Sequence, residues 1–208
     1  MKIIVTGTDT GVGKTLLSSL LMASLDGYRY WKPIQSGLDA ETDTETVIRQ
    51  AEIAPSAVIP EAFRLRRPLS PHLAARLDDK IIARSDMQLP HEMDLIVEGA
   101  GGVMVPINER ELFIDIFAHW QMPVIIATRS SLGTINHTLL TIEALRRRQI
   151  DILGCVTIGD RNEENEDAIG SRGAVEILGR IPFLARIDRS TLRDVYTEEF
   201  GEFRLKLR

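Results

Sequence analysis

The chain has 208 residues, 44% of them hydrophobic and one of them cysteine, and 25 Lys and Arg against 30 Asp and Glu give a formal charge of −5. This composition is enough to bury a core without disulfides, and the negative charge argues against binding along a nucleic-acid backbone. With no apolar run near the roughly 20 residues that cross a bilayer and no secretion signal, we expect one cytoplasmic domain, residues 1–208, without membrane or nucleic-acid partners.

Short apolar runs alternate with helical patterns along the chain. The runs with the length and composition of strands are residues 2–6, 28–33, 95–98, 123–128, 152–158 and 180–183. The segments with apolar residues at helical spacing are residues 15–25, 44–51, 71–77, 112–120, 135–148 and 167–178. Most of the strand-like runs are apolar on both faces, which is typical of a parallel sheet covered on both sides. The alternation predicts a single α/β domain with a mostly parallel sheet and places Cys155 as a buried thiol.

Residues 7–15, GTDTGVGKT, join the first predicted strand to the first predicted helix. Glycines let backbone N–H groups approach phosphate oxygens, Lys14 can reach the outer phosphates, and the Thr15 hydroxyl can bind Mg²⁺. The strict GxxxxGK[ST] pattern fails because Gly7 stands one place too early, and GxGxxG fails because Leu16 occupies its last position. The Gly-Lys-Thr ending in this setting predicts a P-loop NTPase-like fold, with a plain glycine-rich turn as the alternative.

Further segments that combine small residues with charged or hydroxyl groups end at predicted strand termini. They are residues 32–37 (KPIQSG), 98–107 (EGAGGVMVPI) and 128–137 (TRSSLGTINH). Ligands gather at the carboxyl ends of strands in open parallel sheets, so each segment is a candidate binding loop. Taken alone, each segment fits a structural turn equally well.

Together these segments resemble the ATP-dependent dethiobiotin synthetase family. The motifs that carry the resemblance are GTDTxVGKT at residues 7–15, KPxxSG at 32–37, SPHxAA at 70–75, EGAGG at 98–102 and LGxINH at 132–137. The extra residue in the phosphate loop is typical of that family. The resemblance implies a ligase of biotin biosynthesis that uses ATP to join CO₂ to 7,8-diaminopelargonate, giving the cyclic urea of dethiobiotin through a carbamate and a carbamic-phosphoric anhydride.

The resemblance also implies which residues act on the substrates. Lys14 should hold the transferred phosphoryl group, and Lys32 should face the carbamate and phosphate charge with Thr10 and Ser36 as hydrogen-bond partners. The residues expected to bind ATP are Gly11, Val12, Gly13, Lys14, Thr15, Glu98, Gly99, Gly101, Gly102, Asp160, Pro182, Phe183 and Leu184. Phosphoryl transfer asks mainly for positioning and charge neutralisation, so no catalytic role is predicted for His72, His91, His119 and His137.

A Mg²⁺ site is expected beside the phosphates. Mg²⁺ prefers oxygen ligands and keeps several waters, and the predicted ligands are Thr15, Asp43 and Glu98. Glu98 matches the family's EGAGG motif directly. Other acids near Asp43 compete for its role: Asp39, Glu41 and Glu45. Asp43 could instead cap the helix that follows it.

The sequence departs from the family where the adenine base should lie. Many members end the matching strand with an asparagine that reads adenine, whereas this chain has Ile158, Gly159 and Asp160. Asp160 or Asn162 could take over that contact. Residues 181–188 match the family loop that lies against the base. The choice of nucleobase therefore stays open at the level of sequence.

The resemblance further implies a homodimer whose subunits share their active sites. The segment expected to enter the partner's substrate pocket consists of Leu132, Gly133, Thr134, Ile135 and Asn136. This segment leads into a predicted helix, whose free N–H groups can receive the substrate carboxylate, and Gly133 allows close approach. A glycine that only starts the helix is the alternative interpretation.

Two other kinds of protein share features with this sequence. A dimeric ATPase switch of the Min and Par kind has the same fold class but carries a second lysine early in the phosphate loop, and residues 7–12 contain none. An amide-forming ligase of the cobyrinate type needs a nucleophilic cysteine, whereas Cys155 lies in a strand-like run. We therefore expect the ligase, with the Min and Par switch as the alternative. No function is predicted for the tail, residues 203–208.

Overall fold

The computed structural model describes residues 1–91 and 94–201. The strands are β1 (Lys2–Gly7), β2 (Arg29–Trp31), β3 (Ile34–Ser36), β4 (Val58–Ile59), β5 (Phe63–Leu65), β6 (Leu95–Glu98), β7 (Val124–Arg129), β8 (Ile152–Ile158) and β9 (Ile177–Ile181). The α-helices are α1 (Lys14–Ser24), α2 (Asp43–Ala51), α3 (Pro71–Leu77), α4 (Phe113–Trp120), α5 (Thr134–Arg147), α6 (Glu163–Gly173) and α7 (Arg189–Glu199). The tail, residues 203–208, lies outside the described residues.

A seven-stranded sheet in the order β4-β2-β6-β1-β7-β8-β9 forms the centre of the fold, and its neighbouring strands run parallel. β3 and β5 form a separate parallel pair. On one face of the large sheet, Ile3 and Val5 of β1 pack in a hydrophobic cluster that includes α1, α2 and α7. On the other face, Ile4 packs in a cluster that includes α3, α4 and α5. The predicted α/β class, with helices on both faces of a mostly parallel sheet, is confirmed.

The position of β1 in the sheet determines where a ligand can bind. From β1 the chain runs through α1 to β2, which lies beyond β6, while β7 pairs with the other edge of β1. Strand order therefore reverses around β1, and ligands bind in the crevice outside the carboxyl ends at such a point. Gly7, Lys32 and Glu98 lie at or directly after the carboxyl ends of β1, β2 and β6.

The bounds predicted for two elements near the C-terminus are wrong. The helix predicted over residues 167–178 begins earlier, and it ends at Gly173 because Ala174 adopts a left-handed conformation with φ of 44°. Ile177 then begins β9, which pairs with β8, so the strand predicted over residues 180–183 also begins earlier. The apolar residues at the start of β9 continue the helical spacing in sequence, but their pairing with β8 makes them a strand.

The structure also contains elements that the sequence patterns did not predict. The strand predicted over residues 28–33 ends as β2 before Pro33, which has no N–H to continue a ladder, and the short strands β3, β4 and β5 follow. Helix α7 was not predicted either. It buries Leu192, Val195 and Tyr196, which are spaced by three and four residues along one helix face.

Cys155 lies fully buried in β8, as predicted. Burial raises the pKa of its thiol to about 12, so the group stays protonated at neutral pH and is a poor nucleophile. None of the helices in residues 1–91 and 94–201 combines the length and apolar content that spanning a bilayer requires.

Candidate active site

The loop between β1 and α1 has the backbone geometry of an anion-binding turn. Gly11 and Gly13 have φ of 69° and 105°, in the left-handed region that favours glycine. A Cβ on Gly13 would lie 2.5 Å from the terminal methyl of Ile158, which would have to shift, so both the conformation and the space favour glycine there. Helix α1 begins at Lys14, and its first N–H groups have no partner within the helix. The loop and the helix terminus together present N–H groups to a negatively charged ligand.

Lys14 lies at the bottom of this loop with only 6% of its surface exposed. Its Nζ donates a hydrogen bond to the backbone oxygen of Asp9 at 2.8 Å. Burial and, secondarily, the nearby charge of Lys32 lower the pKa of the Lys14 amine to about 8. The Lys14 amine has thus lost much of its hydration, and a bound phosphate would stabilise its charge.

Three oxygen-bearing side chains meet beside Lys14. The Thr15 hydroxyl lies 2.7 Å from Asp43 Oδ1 and 2.9 Å from Glu98 Oε1. Thr15 is in the first turn of α1, Asp43 is the first residue of α2, and Glu98 is the last residue of β6. Glu98 is fully buried, and carboxylates are rarely so buried unless a partner of opposite charge accompanies them. These elements, far apart in sequence, place hydroxyl and carboxylate oxygens within one small volume.

The acids around Asp43 have different partners. Thr42 caps α2, and Glu45 completes a capping box with it, so the alternative that made Asp43 the helix cap is wrong. Glu41 forms an exposed ion pair with an arginine of α2, and Asp39 is exposed. Of these acids, Asp43 is the one that bonds to Thr15 and that lines the cavity described below.

Lys32 connects the two carboxylates. Its Nζ lies 2.8 Å from Asp43 Oδ2 and 2.9 Å from Glu98 Oε1, and it donates a further bond to the Gly99 backbone oxygen at 2.9 Å. Burial disfavours the charge on Lys32, but the Glu98 and Asp43 carboxylates outweigh that cost and raise the pKa of its amine. For Asp43, burial opposes ionisation, and Lys32 overcomes it so that the pKa of Asp43 is lowered. Lys32 and Asp43 are therefore both charged at neutral pH.

Two buried side chains that the sequence patterns did not identify support these groups. Tyr30 of β2 is fully buried, and its hydroxyl donates to Glu98 Oε2 at 3.0 Å. Burial and the Glu98 charge raise the pKa of Tyr30 well above its usual value, so it remains a donor. Gln35 of β3 accepts a bond from the Asp43 backbone N–H at 3.2 Å. Tyr30 lies outside the motifs, and Gln35 occupies a variable position of the KPxxSG motif, so the sequence patterns gave no signal for either side chain.

A cavity of about 630 Å³ opens over these groups. The predicted site residues that line it are Thr10, Gly11, Gly13, Lys14, Thr15, Lys32, Ser36, Asp43, Glu98 and Gly101. In the described chain, Val12, Gly99 and Gly102 belong to the same loops but are not among its lining residues. The Val12 side chain is buried in the core, and Gly102 lines a second cavity of about 350 Å³.

Known proteins are similar in sequence to this chain over nearly its whole length. Residues 1–191 match a family model described as an AAA domain. A protein of Nitrobacter hamburgensis named ATP-dependent dethiobiotin synthetase BioD is 50% identical over 201 residues, which cover 96% of this chain and 94% of that protein. A protein of Brucella ovis with the same name is 48% identical over 200 residues, with 96% and 94% covered. The chain belongs to the ATP-dependent dethiobiotin synthetase family.

The fold has counterparts among solved structures outside this synthetase family. The crystal structure of a ParA family ATPase from Chlorobium tepidum TLS aligns with a TM-score of 0.54 at 12% sequence identity, covering 94% of this chain and 90% of that one. Identity at this level shows a shared fold alone. The structural likeness therefore supports the predicted fold class, and the family membership rests on sequence.

The residues predicted to lie against the base come after the phosphate loop, around the ends of β8 and β9. Gly159 follows β8 with φ of 124°, and its backbone oxygen accepts a bond from Arg180 at 3.3 Å. The Asn162 side chain caps α6, so it is already used within the fold. Asp160 is exposed, as is 79% of Phe183. In the described chain, none of the predicted base-site residues lines the main cavity: Asp160, Pro182, Phe183 and Leu184.

The segment that the synthetase resemblance assigned to the partner subunit lies at the surface, except that Thr134 is buried and Ile135 is partly buried. Gly133 precedes α5 with φ of 94°, and a Cβ there would have open space, with its nearest contact at 3.9 Å. Leu132 is fully exposed and Asn136 is exposed. The Thr134 hydroxyl bonds within the chain to Thr128. Within the described chain, none of the residues assigned to this segment lines the cavity of its own subunit: Leu132, Gly133, Thr134, Ile135 and Asn136.

Proposed function

We propose that this protein is an ATP-dependent dethiobiotin synthetase: a single-domain ligase that carboxylates 7,8-diaminopelargonate and closes the ring with CO₂, forming dethiobiotin, ADP and phosphate. One observation carries the proposal. The two lysines, the two carboxylates and the three hydroxyl residues predicted from the sequence all line a single cavity at the carboxyl ends of the sheet. Every intermediate of the reaction is anionic, and the cavity contains cations and N–H donors suited to such species.

The phosphate loop would hold the triphosphate of ATP. Its N–H groups and the N-terminus of α1 would face the phosphates, and Lys14 would contact the transferred phosphoryl group. Charge on the equatorial oxygens of that group has to be stabilised during transfer. The buried Lys14 supplies a fixed cation in a poorly hydrated site, where an electrostatic interaction is stronger than in water.

Thr15, Asp43 and Glu98 would hold Mg²⁺ bound to the nucleotide. No group of three or more His, Cys, Asp or Glu side chains suited to a metal occurs in the described parts of the chain. Mg²⁺ does not require one, because it commonly uses one or two carboxylates, substrate phosphates and water. The all-oxygen donor set of these three residues therefore fits Mg²⁺, which when bound neutralises phosphate charge.

Lys32 and Ser36 would orient the reacting substrate. One amine of diaminopelargonate captures CO₂ as a carbamate, whose oxygen attacks the γ-phosphorus and releases ADP. The second amine then attacks the carbonyl carbon, and phosphate leaves as the cyclic urea forms. Lys32, held by two carboxylates, can attract the carbamate. Ser36 lines the cavity, and its buried hydroxyl has no hydrogen-bond partner among the described residues. Thr10 at the cavity edge would add a further hydrogen bond.

A homodimer would complete the pocket through residues 132–136. The support for this proposal is an exposed apolar surface: Leu132 is fully exposed, and more than half of the surfaces of Met104 and Leu140 is exposed. Met104 and Leu140 also line the second cavity. The free N–H groups at the start of α5 can receive the carboxylate of diaminopelargonate bound to the other subunit.

Phosphate release from ATP, measured with and without diaminopelargonate and bicarbonate, tests the proposed function. We expect both compounds together to stimulate release strongly and either alone to leave it low. Equal release with and without the pair would contradict the proposal. Stimulation that depends on a protein or a membrane instead would favour the ATPase switch of the Min and Par kind.

Asp43→Asn is expected to raise the Mg²⁺ concentration for half-maximal activity by about tenfold or more. The substitution keeps the shape of the side chain but removes one negative charge from the proposed site. Even residues that only support metal ligands typically change metal affinity by about 10- to 100-fold when replaced. A Mg²⁺ titration of product formation gives the answer, with Asp39→Asn as the matched control because that acid is exposed. Equal Mg²⁺ requirements in the two variants would show that Asp43 is not a ligand of the metal.

Discrimination among nucleoside triphosphates is expected to be modest. The site has no asparagine at the end of β8, Asn162 is used as a helix cap, and the exposed ring of Phe183 can stack on any base. Competition of GTP and CTP against ATP measures the preference through kcat/KM. Phe183→Leu should weaken the binding of all three nucleotides to a similar extent. A preference for ATP beyond about a thousandfold would show that a hydrogen-bonded base contact exists elsewhere.

A further inference from the structure

Tyr30 makes a buried contact to Glu98 that the proposed chemistry has not used. Its hydroxyl donates to Glu98 Oε2 at 3.0 Å, while Glu98 Oε1 faces Thr15 at 2.9 Å and Lys32 at 2.9 Å. Both Tyr30 and Glu98 are fully buried. The two oxygens of one carboxylate therefore have separate partners, and only one oxygen faces the phosphate loop.

The register of β2 and β6 explains how the tyrosine reaches this carboxylate. Tyr30 pairs with Ile96 across the two parallel strands, and both side chains pack in the cluster on the α1 face of the sheet. Side chains alternate along a strand, so Glu98, two residues beyond Ile96, projects from the same face. A tyrosine is long enough to span such a diagonal, and a buried hydroxyl requires a hydrogen-bond partner.

The torsion that rotates a glutamate carboxylate is soft, so packing alone does not determine which oxygen points where. A donor bound to one oxygen restricts that rotation. In a buried site the bond from a neutral hydroxyl to a charged carboxylate is stronger than in water, and losing it leaves an acceptor without a partner. The Tyr30 hydroxyl is placed to provide this restriction from inside the core.

We propose that Tyr30 is a positioning residue, which holds Glu98 Oε2 so that Oε1 faces the Mg²⁺ position beside Thr15 and Asp43. This inference rests on the metal role of Glu98 in the proposed function. Tyr30 touches neither nucleotide nor substrate and acts through Glu98. Without the hydroxyl, the carboxylate would rotate more freely and the site would bind its metal more weakly.

The test is the binding of Mn²⁺, which suits carboxylate and water ligands as Mg²⁺ does, to protein saturated with ADP. Free Mn²⁺ is measured by electron paramagnetic resonance. Tyr30→Phe keeps the ring and is expected to weaken Mn²⁺ binding by about tenfold, with the affinity for ADP in EDTA unchanged. Tyr28→Phe, the same change at another buried tyrosine near Asp94, should bind Mn²⁺ like the wild type. A folded Tyr30→Phe protein with wild-type Mn²⁺ affinity would overturn the proposal.

A double-mutant comparison shows whether Tyr30 acts through Glu98. Tyr30→Phe should have little further effect on Mn²⁺ binding once Glu98→Gln has been introduced, because the carboxylate that the hydroxyl orients is gone. An equally large effect in both backgrounds would mean that Tyr30 acts elsewhere, against the proposal. These measurements contain no diaminopelargonate, so they stay decisive even if the protein makes no dethiobiotin. A wild-type protein that binds no Mn²⁺ with ADP would overturn the metal role of Glu98 and this inference together.

If Tyr30→Phe does not fold, a measurement on the protein with Tyr30 intact tests the same proposal. The chain has three tyrosines, and ¹³C at Cζ gives each a carbon resonance next to its hydroxyl. Spectra of Tyr28→Phe and Tyr196→Phe identify two of them and leave Tyr30 by elimination. Adding Mg²⁺ to the ADP complex should shift the Tyr30 resonance most. An unshifted Tyr30 resonance at saturating Mg²⁺ would overturn the proposal.

Discussion

Lys14→Ala is expected to lower kcat for dethiobiotin formation by about a hundredfold or more. Removing one fixed stabiliser of transition-state charge typically costs on the order of 10²- to 10³-fold, and Lys14 is a buried cation beside the phosphate loop. Initial rates at saturating ATP, diaminopelargonate and bicarbonate separate this loss from weaker binding, because an interaction made mainly in the transition state changes kcat.

The control for this prediction is Lys80→Ala. Lys80 is an exposed lysine whose Nζ bonds to the Arg64 backbone oxygen. It lies outside the residues that line the main cavity, so its loss should leave kcat within about twofold, as for most surface substitutions. A Lys14→Ala protein that retained more than about a tenth of the wild-type turnover would remove Lys14 from the proposed role.

Mixing two inactive proteins, Lys14→Ala and Gly133→Glu, is expected to restore about a quarter of the wild-type activity. Gly133→Glu places a negative charge where the substrate carboxylate of the partner subunit should bind, whereas Lys14→Ala disables the phosphate loop of its own subunit. In a mixed dimer one site collects both defects and the other collects neither. Random exchange makes about half of the dimers mixed, and half of their sites work.

Gly133→Ala is the matched control for the charge introduced at Gly133. The backbone there has φ of 94°, so any side chain adds strain, but a Cβ meets open space. Alanine should therefore cost far less activity than glutamate. If labelled subunits demonstrably exchange and the mixture stays inactive, each active site is built within one chain and the shared pocket is wrong.

Local motifs predicted the phosphate loop because its chemistry is contiguous in sequence. The segment over residues 7–15 contains the glycines, Lys14 and Thr15 together, and the strand and helix on either side fix its place in the fold. Predicting Lys32 and Glu98 as parts of the same site required one further inference, namely that the carboxyl ends of parallel strands meet at the same edge of a sheet. These three parts of the candidate site needed no knowledge of long-range contacts beyond the fold class.

The sequence contains a local signal for the start of α2 that bears on the role of Asp43. Thr42 and Glu45 have the spacing of a capping box, which would have assigned both to the start of α2 and made Asp43 the first helical residue. The sequence could therefore have excluded Asp43 as the helix cap. It could not have shown that α2 points this residue at Thr15, since that follows from tertiary packing.

No pattern in the sequence predicts that Tyr30 belongs to the candidate site. A tyrosine in an apolar strand is usually a core residue, and its contact with Glu98 follows from the pairing of Tyr30 with Ile96. The boundary between α6 and β9 has a similar origin, because the same apolar residues fit a helix until pairing with β8 is known. Where the spacing of apolar residues fits both a helix and a strand, pairing with a neighbouring strand determines which one forms.

Incorporation of ¹³C from bicarbonate into the product tests the central claim most directly. The purified protein is given ATP, Mg²⁺, diaminopelargonate and ¹³C-bicarbonate, and the products are analysed by mass spectrometry and ¹³C NMR. The proposed function predicts dethiobiotin labelled at the urea carbon, with one ADP formed for each molecule of product. ADP formed without labelled dethiobiotin, or at the same rate without diaminopelargonate, would contradict it.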